Sequence, residues 1–198
     1  MDKVPQITSD IQQNGYAVLP GLLDAQWIER LKREEQRFTR QKVGPLGVQL
    51  QLADQSAAIR EFIQQGPQLP IVIEVLGPDV CYTHQQFITK HPDEKQRTEI
   101  PWHQDNGFGR LEPPRDLTVW ITLDDCDESN GCLWVLPGSH RLGLLTHHQK
   151  FGLMAADTET QGEGVALPLK AGDGVIFGGL LLHRSLANST DKPRVAMY

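Results

Sequence analysis

The sequence predicts helices packed outside a β-sandwich or jelly roll, and two observations carry that prediction. Helical periodicity is confined to residues 1–78, while short strand-like runs bounded by turn residues fill 79–198. No regular βαβ alternation runs through the chain and no internal repeat is present, which argues against a parallel βαβ sheet and against a solenoid. At 198 residues the chain suits one domain with a full core, spanning 1–198.

The elements follow in order. Ser9 can cap a short helix over 10–14 that Gly15 ends, and Tyr16–Leu19 reads as a strand stopped by Pro20. Asp24 is a suitable N-cap for a helix in which Trp27, Ile28, Leu31 and Phe38 recur at helical spacing. The charged run Glu29, Arg30, Lys32, Arg33, Glu34 and Glu35 reads as its solvated face. Gly44, Pro45 and Gly47 mark a loop before an alternating strand over 48–52. Helices over 56–65 and 68–76 end at Gly66-Pro67 and Gly77-Pro78. Residues 80–90 read as one long strand, 92–99 as a charged loop and 117–123 as a β-branched, aromatic strand. A turn over 124–131, a strand over 132–136 and a long polar connection over 138–164 come next. Strands over 165–169, 175–177, 180–183 and 194–198 complete the series.

Composition bounds the function. A net charge of −6 argues against nucleic acid as the main partner, because gripping phosphates needs a basic face. No run approaches the roughly 18–20 apolar residues of a membrane span, and residues 1–10 lack the apolar core of a signal peptide. Cys81, Cys126 and Cys132 are odd in number and form no Cys-x-x-Cys pair, so they read as small buried apolar residues in a reducing cytoplasm. Nothing in the pattern speaks to oligomeric state.

The chemistry gathers around His103 and Asp105. On a strand, residues i and i+2 share a face, so an imidazole and a carboxylate can converge on one point. His183 follows 80 residues later, after the apolar Leu180-Leu181-Leu182. Two histidines and one carboxylate are the ligand set of a non-heme Fe(II) centre with open positions. Arg194 lies 11 residues beyond His183, where a returning strand can aim a guanidinium at an acidic co-substrate. Each residue alone has a plainer reading as a surface or hydrogen-bonding group; the order and spacing of the set argue for a site.

Four blocks then resemble the phytanoyl-CoA dioxygenase-like family of Fe(II)/2-oxoglutarate oxygenases. They are Trp-His-Gln-Asp at 102–105, Asn-Gly-Cys-Leu-Trp-Val-Leu-Pro-Gly-Ser-His at 130–140, Ala-Gly-Asp-Gly-Val-Ile-Phe at 171–177, and the closing His183, Ser185, Asn188 and Arg194. They cover about 80–198 in the expected order. The resemblance implies a mainly β fold with flanking α-helices: a double-stranded β-helix (a cupin-like jelly roll) over 79–198, with the helical part of 1–78 outside it. It implies Fe(II) on His103, Asp105 and His183, with three positions left for 2-oxoglutarate and O2. Arg194 would grip the distal carboxylate of 2-oxoglutarate bidentately, and Ser185 would add a hydroxyl. Gln104 and Trp120 match positions flanking the co-substrate, and Gln49 and Gln86 are further candidates to reach it. Contacts to a small-molecule substrate are expected from Asn106, Phe108 and Arg110, just after the metal pair, and from Gln86 and Trp134.

The implied reaction converts 2-oxoglutarate to succinate and CO2 while hydroxylating an unactivated C–H. A carboxylate at Asp105, where halogenases of this type carry a small residue, favours hydroxylation. Among the other histidines, His140 reads as structural, His84 as facing either core or cavity, and His91, His147 and His148 as solvent-exposed loop residues. Lys90, Lys95 and Arg97 read as a solvated loop rather than a phosphate-binding patch. The sequence ends four residues after Arg194, whereas members of the family usually continue, so either a compact form or a shortened chain without a substrate lid is expected. Two other readings stand beside the oxygenase. One is a silent metal- and 2-oxoglutarate-binding module acting as sensor or scaffold. The other is a cupin-type isomerase or zinc enzyme, which has no need for Arg194.

Overall fold

The computed structural model describes residues 4–38, 41–43, 46–92, 98–150, 152–158 and 164–198. The helices come first. α1 (Val4–Asn14) begins earlier than a Ser9 cap implies and leaves at Gly15, whose φ of 88° is accessible without a Cβ. α2 (Ala25–Arg37) is capped by Asp24, which accepts from Trp27 N at 2.8 Å. α3 (Ala57–Gln65) is capped by Ser56, which accepts from Ile59 N at 3.1 Å, and α4 (Leu69–Leu76) follows.

The strands are β1 (Tyr16–Leu19), β2 (Gln41–Val43), β3 (Leu46–Leu50), β4 (Gln86–Lys90), β5 (Ile100–His103), β6 (Leu117–Thr122) and β7 (Leu133–Val135). They continue as β8 (His147–Lys150), β9 (Leu153–Ala156), β10 (Val165–Leu167), β11 (Gly174–Gly178), β12 (His183–Ser185) and β13 (Arg194–Met197). Every pairing is antiparallel. A seven-stranded sheet runs β1-β11-β6-β13-β4-β3-β2, and a four-stranded sheet runs β10-β7-β12-β5. This is the two-sheet jelly roll expected from the strand-rich second part.

Period-2 alternation sorts the large sheet into two faces. Phe87, Ile121, Val195 and Met197 point outward and pack with Leu31, Ile59 and Phe62 of the helices. Ala17, Leu19 and Ile176 meet Ile7 of α1 and the partly buried Ile71, Val72 and Val75 of α4. Trp120, Val175, Phe177 and Ala196 point inward, against Leu133 and Val135 of the small sheet. The Leu, Ile, Val, Phe and Met side chains among them contribute about 1.5–3 kcal/mol each on full burial.

Several boundaries differ from expectation. The strand expected over 80–90 begins only at Gln86, and residues 81–84 are exposed. The long connection over 138–164 contains the hairpin β8–β9, in which His147 pairs with Ala156. Residues 180–182 lead into β12 rather than forming a strand, while Gly47 lies inside β3. Gly44, Pro45 and residues 93–97, Lys95 and Arg97 included, lie outside the described residues. Two members of the charged run are not solvated: Glu34 and Glu35 are buried, and Glu35 accepts from Thr89 Oγ1 at 2.7 Å. Cys126 and Cys132 are buried, and burial, reinforced by Cys126, pushes the Cys132 thiol up to about 12; Cys81 is exposed. No helix among the described residues is long and apolar enough to cross a membrane.

Candidate metal centre

β5 and β12 are neighbours in the small sheet, and His103 and His183 sit directly opposite each other across them. A register shift follows: two steps on β12, from His183 to Ser185, face three on β5, from His103 to Ile100. The irregularity takes in Pro101, which lacks an N–H and is tolerated on this edge strand. The imidazole centroids lie 4.1 Å apart. Asp105 does not reach them by strand alternation. β5 stops at His103, and Asp105 opens a one-turn 3-10 segment over Asp105–Gly107 that swings its carboxylate back. Asp105 Oδ1 is then 3.8 Å from His103 Nε2 and 3.4 Å from His183 Nε2. The three ligating atoms all lie within 4.8 Å of one another.

The surroundings assign one ligand atom to each residue. His103 Nδ1 is 2.8 Å from Pro101 O, and His183 Nδ1 is 3.0 Å from Leu181 O. A carbonyl only accepts, so each Nδ1 carries the proton and each Nε2 lone pair is presented inward. Thr118 Oγ1 donates to Asp105 Oδ2 at 2.6 Å, leaving Oδ1 toward the imidazoles. Burial, and then the neighbouring His183, push His103 down to about 3, so it is neutral. Burial alone would raise Asp105, but His183, His103 and the Thr118 hydroxyl outweigh it and hold the carboxyl below the usual range. Burial would likewise lower His183, but Asp105 outweighs it and raises its proton affinity. Two neutral-capable imidazoles and one ionised carboxylate, with other directions open, suit a divalent first-row metal such as Fe(II).

A small cavity, partly open to solvent, lies in front of these atoms. Ser185 and Trp120 line it, together with Tyr198 and Phe177. Arg194 is buried on β13 with its guanidinium 5.6 Å from the Trp120 ring centroid, and it donates through one Nη to Gly131 O at 2.7 Å. Its Nε is buried with no hydrogen-bond partner among the described residues. Such an orphaned charged donor fits a carboxylate ligand.

Other candidate residues lie elsewhere. Gln49 is on the helix-facing side of β3, opposite Phe87, and donates to Glu35 O at 2.7 Å and Phe38 O at 2.5 Å. Strand parity turns it away from the cavity. Gln86 is buried on β4 two residues from the cavity-lining Ile88, with its backbone paired to Tyr198. Gln104 is fully buried, and its amide group is engaged by Gly143 O, Leu180 O and Leu145 N. Asn106 is buried and donates to Asp116 at 3.3 Å. Phe108 is 60 % exposed, and its ring meets the His103 imidazole edge-on at 5.6 Å. Arg110 is exposed and pairs with Glu112. Trp134 stacks on the Arg184 guanidinium, which also lies over Trp102.

Sequence reasoning passed over Thr118, Phe177 and Tyr198. Phe177 lies 4.7 Å, ring to ring, from His183. Thr118 is two residues from Trp120, and Tyr198 is four from Arg194, so strand parity placed both on the inner face. His147 is not a solvent-exposed loop residue: it is half-buried at the start of β8 and accepts from Gln104 N at 3.0 Å. Lys90 is fully buried and donates to Ser185 O at 3.1 Å and to Leu186 O. His140 and His91 lie as expected, the first against Gln12 O and the second exposed; His148 is exposed in β8, and His84 is exposed beside Gln86.

Sheet architecture and triad together define a cupin-type double-stranded β-helix with a two-histidine, one-carboxylate metal site. The chain belongs to the phytanoyl-CoA dioxygenase (PhyH) family, whose profile matches residues 11–196. It is 30 % identical over 217 residues to the peroxisomal phytanoyl-CoA dioxygenase of Rattus norvegicus, an alignment covering 94 % of this chain and 64 % of that protein. The chain thus spans just under two thirds of the length of that relative. Over 108 residues it is 36 % identical to phytanoyl-CoA dioxygenase 1 of Oryza sativa subsp. japonica, covering 50 % of this chain and 37 % of that one. Among solved structures, the epimerase SnoN in complex with Fe3+, alpha ketoglutarate and nogalamycin RO superposes with a TM-score of 0.86 at 23 % identity, covering 99 % of this chain and 82 % of the other. EvdO2 from Micromonospora carbonacea var. aurantiaca gives 0.80 at 24 % identity, covering 97 % and 87 %.

Proposed function

We propose that the chain is an Fe(II)- and 2-oxoglutarate-dependent dioxygenase that hydroxylates an unactivated C–H of a small molecule, with release of succinate and CO2. The observation that carries this reading is the convergence of His103 Nε2, His183 Nε2 and Asp105 Oδ1, with a buried arginine of orphaned donor 5.6 Å from the ring of the cavity-lining Trp120. His103, Asp105 and His183 would hold the metal. Arg194, on the large sheet, would grip the distal carboxylate of the co-substrate, with Ser185 facing it from the small sheet and the cavity-lining Trp120 beneath the guanidinium. The bound metal and co-substrate supply the oxidising power; the chain binds, orients and excludes water. Thr118 keeps Asp105 oriented, and the two carbonyls at Pro101 and Leu181 keep both imidazoles in the metal-binding tautomer. Phe108, exposed and with its ring against the His103 imidazole, is the candidate of this set best placed to touch substrate.

Proteins of similar fold include one described as an epimerase and one as a carbocyclase, so the assay must read co-substrate turnover before product. Fe(II) and 2-oxoglutarate added without oxygen should give the weak visible charge-transfer band of the chelate, and admitting oxygen should then yield succinate. Absence of the band sinks the reading. A band with no succinate across a broad substrate panel favours a silent binding module instead. The reducing compartment expected from the cysteines remains part of the proposal.

A further inference from the structure

We propose that His147, on the β8–β9 hairpin, is a positioning residue for the metal-binding turn, acting through the backbone N–H of Gln104. The inference rests on the metal site proposed above. Gln104 is the residue between the ligands His103 and Asp105, and its N–H donates to His147 Nε2 at 3.0 Å. His147 Nδ1 lies 2.9 Å from Leu145 O, to which it can only donate. These two partners assign a neutral ring with its acceptor aimed at the turn.

The fit around the ring is close. A Cβ built on Gly107 would stand 2.4 Å from His147 Cδ2 and Nε2. Gly107 closes the same 3-10 turn that Asp105 opens, so the missing side chain is what lets the imidazole reach Gln104 N. The contact is reinforced by the Gln104 side chain. Its amide nitrogen donates to Gly143 O at 2.8 Å and Leu180 O at 2.7 Å, and its oxygen accepts from Leu145 N at 2.8 Å. Leu180 is three residues before the ligand His183. One residue therefore ties both ligand-bearing segments to the chain leading into β8.

The site needs such a clamp. β5 is the edge of the small sheet and ends at His103, so Asp105 and the rest of its turn lie beyond the sheet pairing. Thr118 fixes the carboxylate's rotation; His147 and Gln104 fix where its backbone stands, together with Gly179 O, which accepts from Asn106 N at 3.1 Å.

The test is a visible-absorption titration of the purified protein with Co(II), alongside thermal melting. His147→Ala should raise the Co(II) dissociation constant about 10- to 100-fold, as losses around metal ligands do. His147→Gln offers a carbonyl oxygen in place of the ring acceptor and should recover most of the affinity. Gly107→Ala, pushing on the ring from the other side, should reproduce the loss. His148→Ala, whose exposed ring pairs with Asp157, should leave the affinity unchanged. A lower melting temperature with wild-type Co(II) affinity in His147→Ala overturns the inference, since that is a structural role alone. If His147→Ala does not fold, wild-type affinity in Gly107→Ala overturns it equally. Failure of the wild-type protein to take up Co(II) overturns the metal site and this inference together; wild-type uptake with unchanged variants overturns this inference only.

Discussion

Replacing Thr118 by valine removes one hydroxyl and keeps the β-branched shape that suits a strand. In the wild type that hydroxyl donates to Asp105 Oδ2 at 2.6 Å, and Oδ1 is left 3.4 Å from His183 Nε2. Hydrogen bonds to charged groups contribute about 1.5–3 kcal/mol. At about 1.4 kcal/mol per tenfold, full loss of that contribution corresponds to a metal dissociation constant raised roughly 10- to 150-fold. The expected mechanism is rotational: the freed carboxylate turns and no longer offers one oxygen along a fixed direction. An anaerobic Fe(II) titration against a competing chelator reads the change, with far-UV circular dichroism confirming the fold. A folded Thr118→Val protein with metal affinity within threefold of wild type would refute the reasoning, because Asp105 would then be oriented by its backbone alone.

Arg194→Lys keeps a charge but not the planar fork, so KM for 2-oxoglutarate should rise at least about tenfold, measured by succinate release; an unchanged KM would place the co-substrate elsewhere. Gln49→Ala should cost about 1–3 kcal/mol in a urea melt, by stranding Glu35 O and Phe38 O, and leave that KM untouched. Stability of the metal-free protein should fall with pH below 6.5. His103 stays unprotonated in the fold down to about 3, so unfolding takes up a proton across that window, at about 1.4 kcal/mol per pH unit. In His103→Gln that contribution to the slope should vanish, and an unaltered slope would count against it. Alkylation of the native protein should modify Cys81 rapidly and spare Cys126 and Cys132; fast labelling of a second thiol would contradict the packing.

Much of this was legible because local chemistry and global arrangement agree. Asp24 caps the helix it was expected to cap, and Tyr16–Leu19 is a strand to the residue. The spacing of His103, Asp105 and His183 suggested convergence, although the physical route differs. A 3-10 turn, not strand parity, brings Asp105 round, and a two-residue spacing does not distinguish the two. Gln49 shows the complementary limit. Its parity is readable in sequence only once the register of β3 on β4 is known, and that register sends it to the helices. His147 was obscure for another reason. Its partner is a backbone N–H 43 residues away, which no residue pattern encodes.

The cross-strand pair of His103 and His183 has a consequence for folding. A single ion held by both would be a removable cross-link closing an 80-residue loop. Loop-closure entropy grows slowly with length, so such a link restricts the unfolded chain nearly as much as a link across a far longer one. The link would also sit on the last strand of the small sheet, where fraying begins. The ion would therefore act as a fastener at the margin of the barrel, coupling retention of the metal to closure of the sheet. Loss of one would loosen the other, and amide exchange along Ile100–His103 would report it.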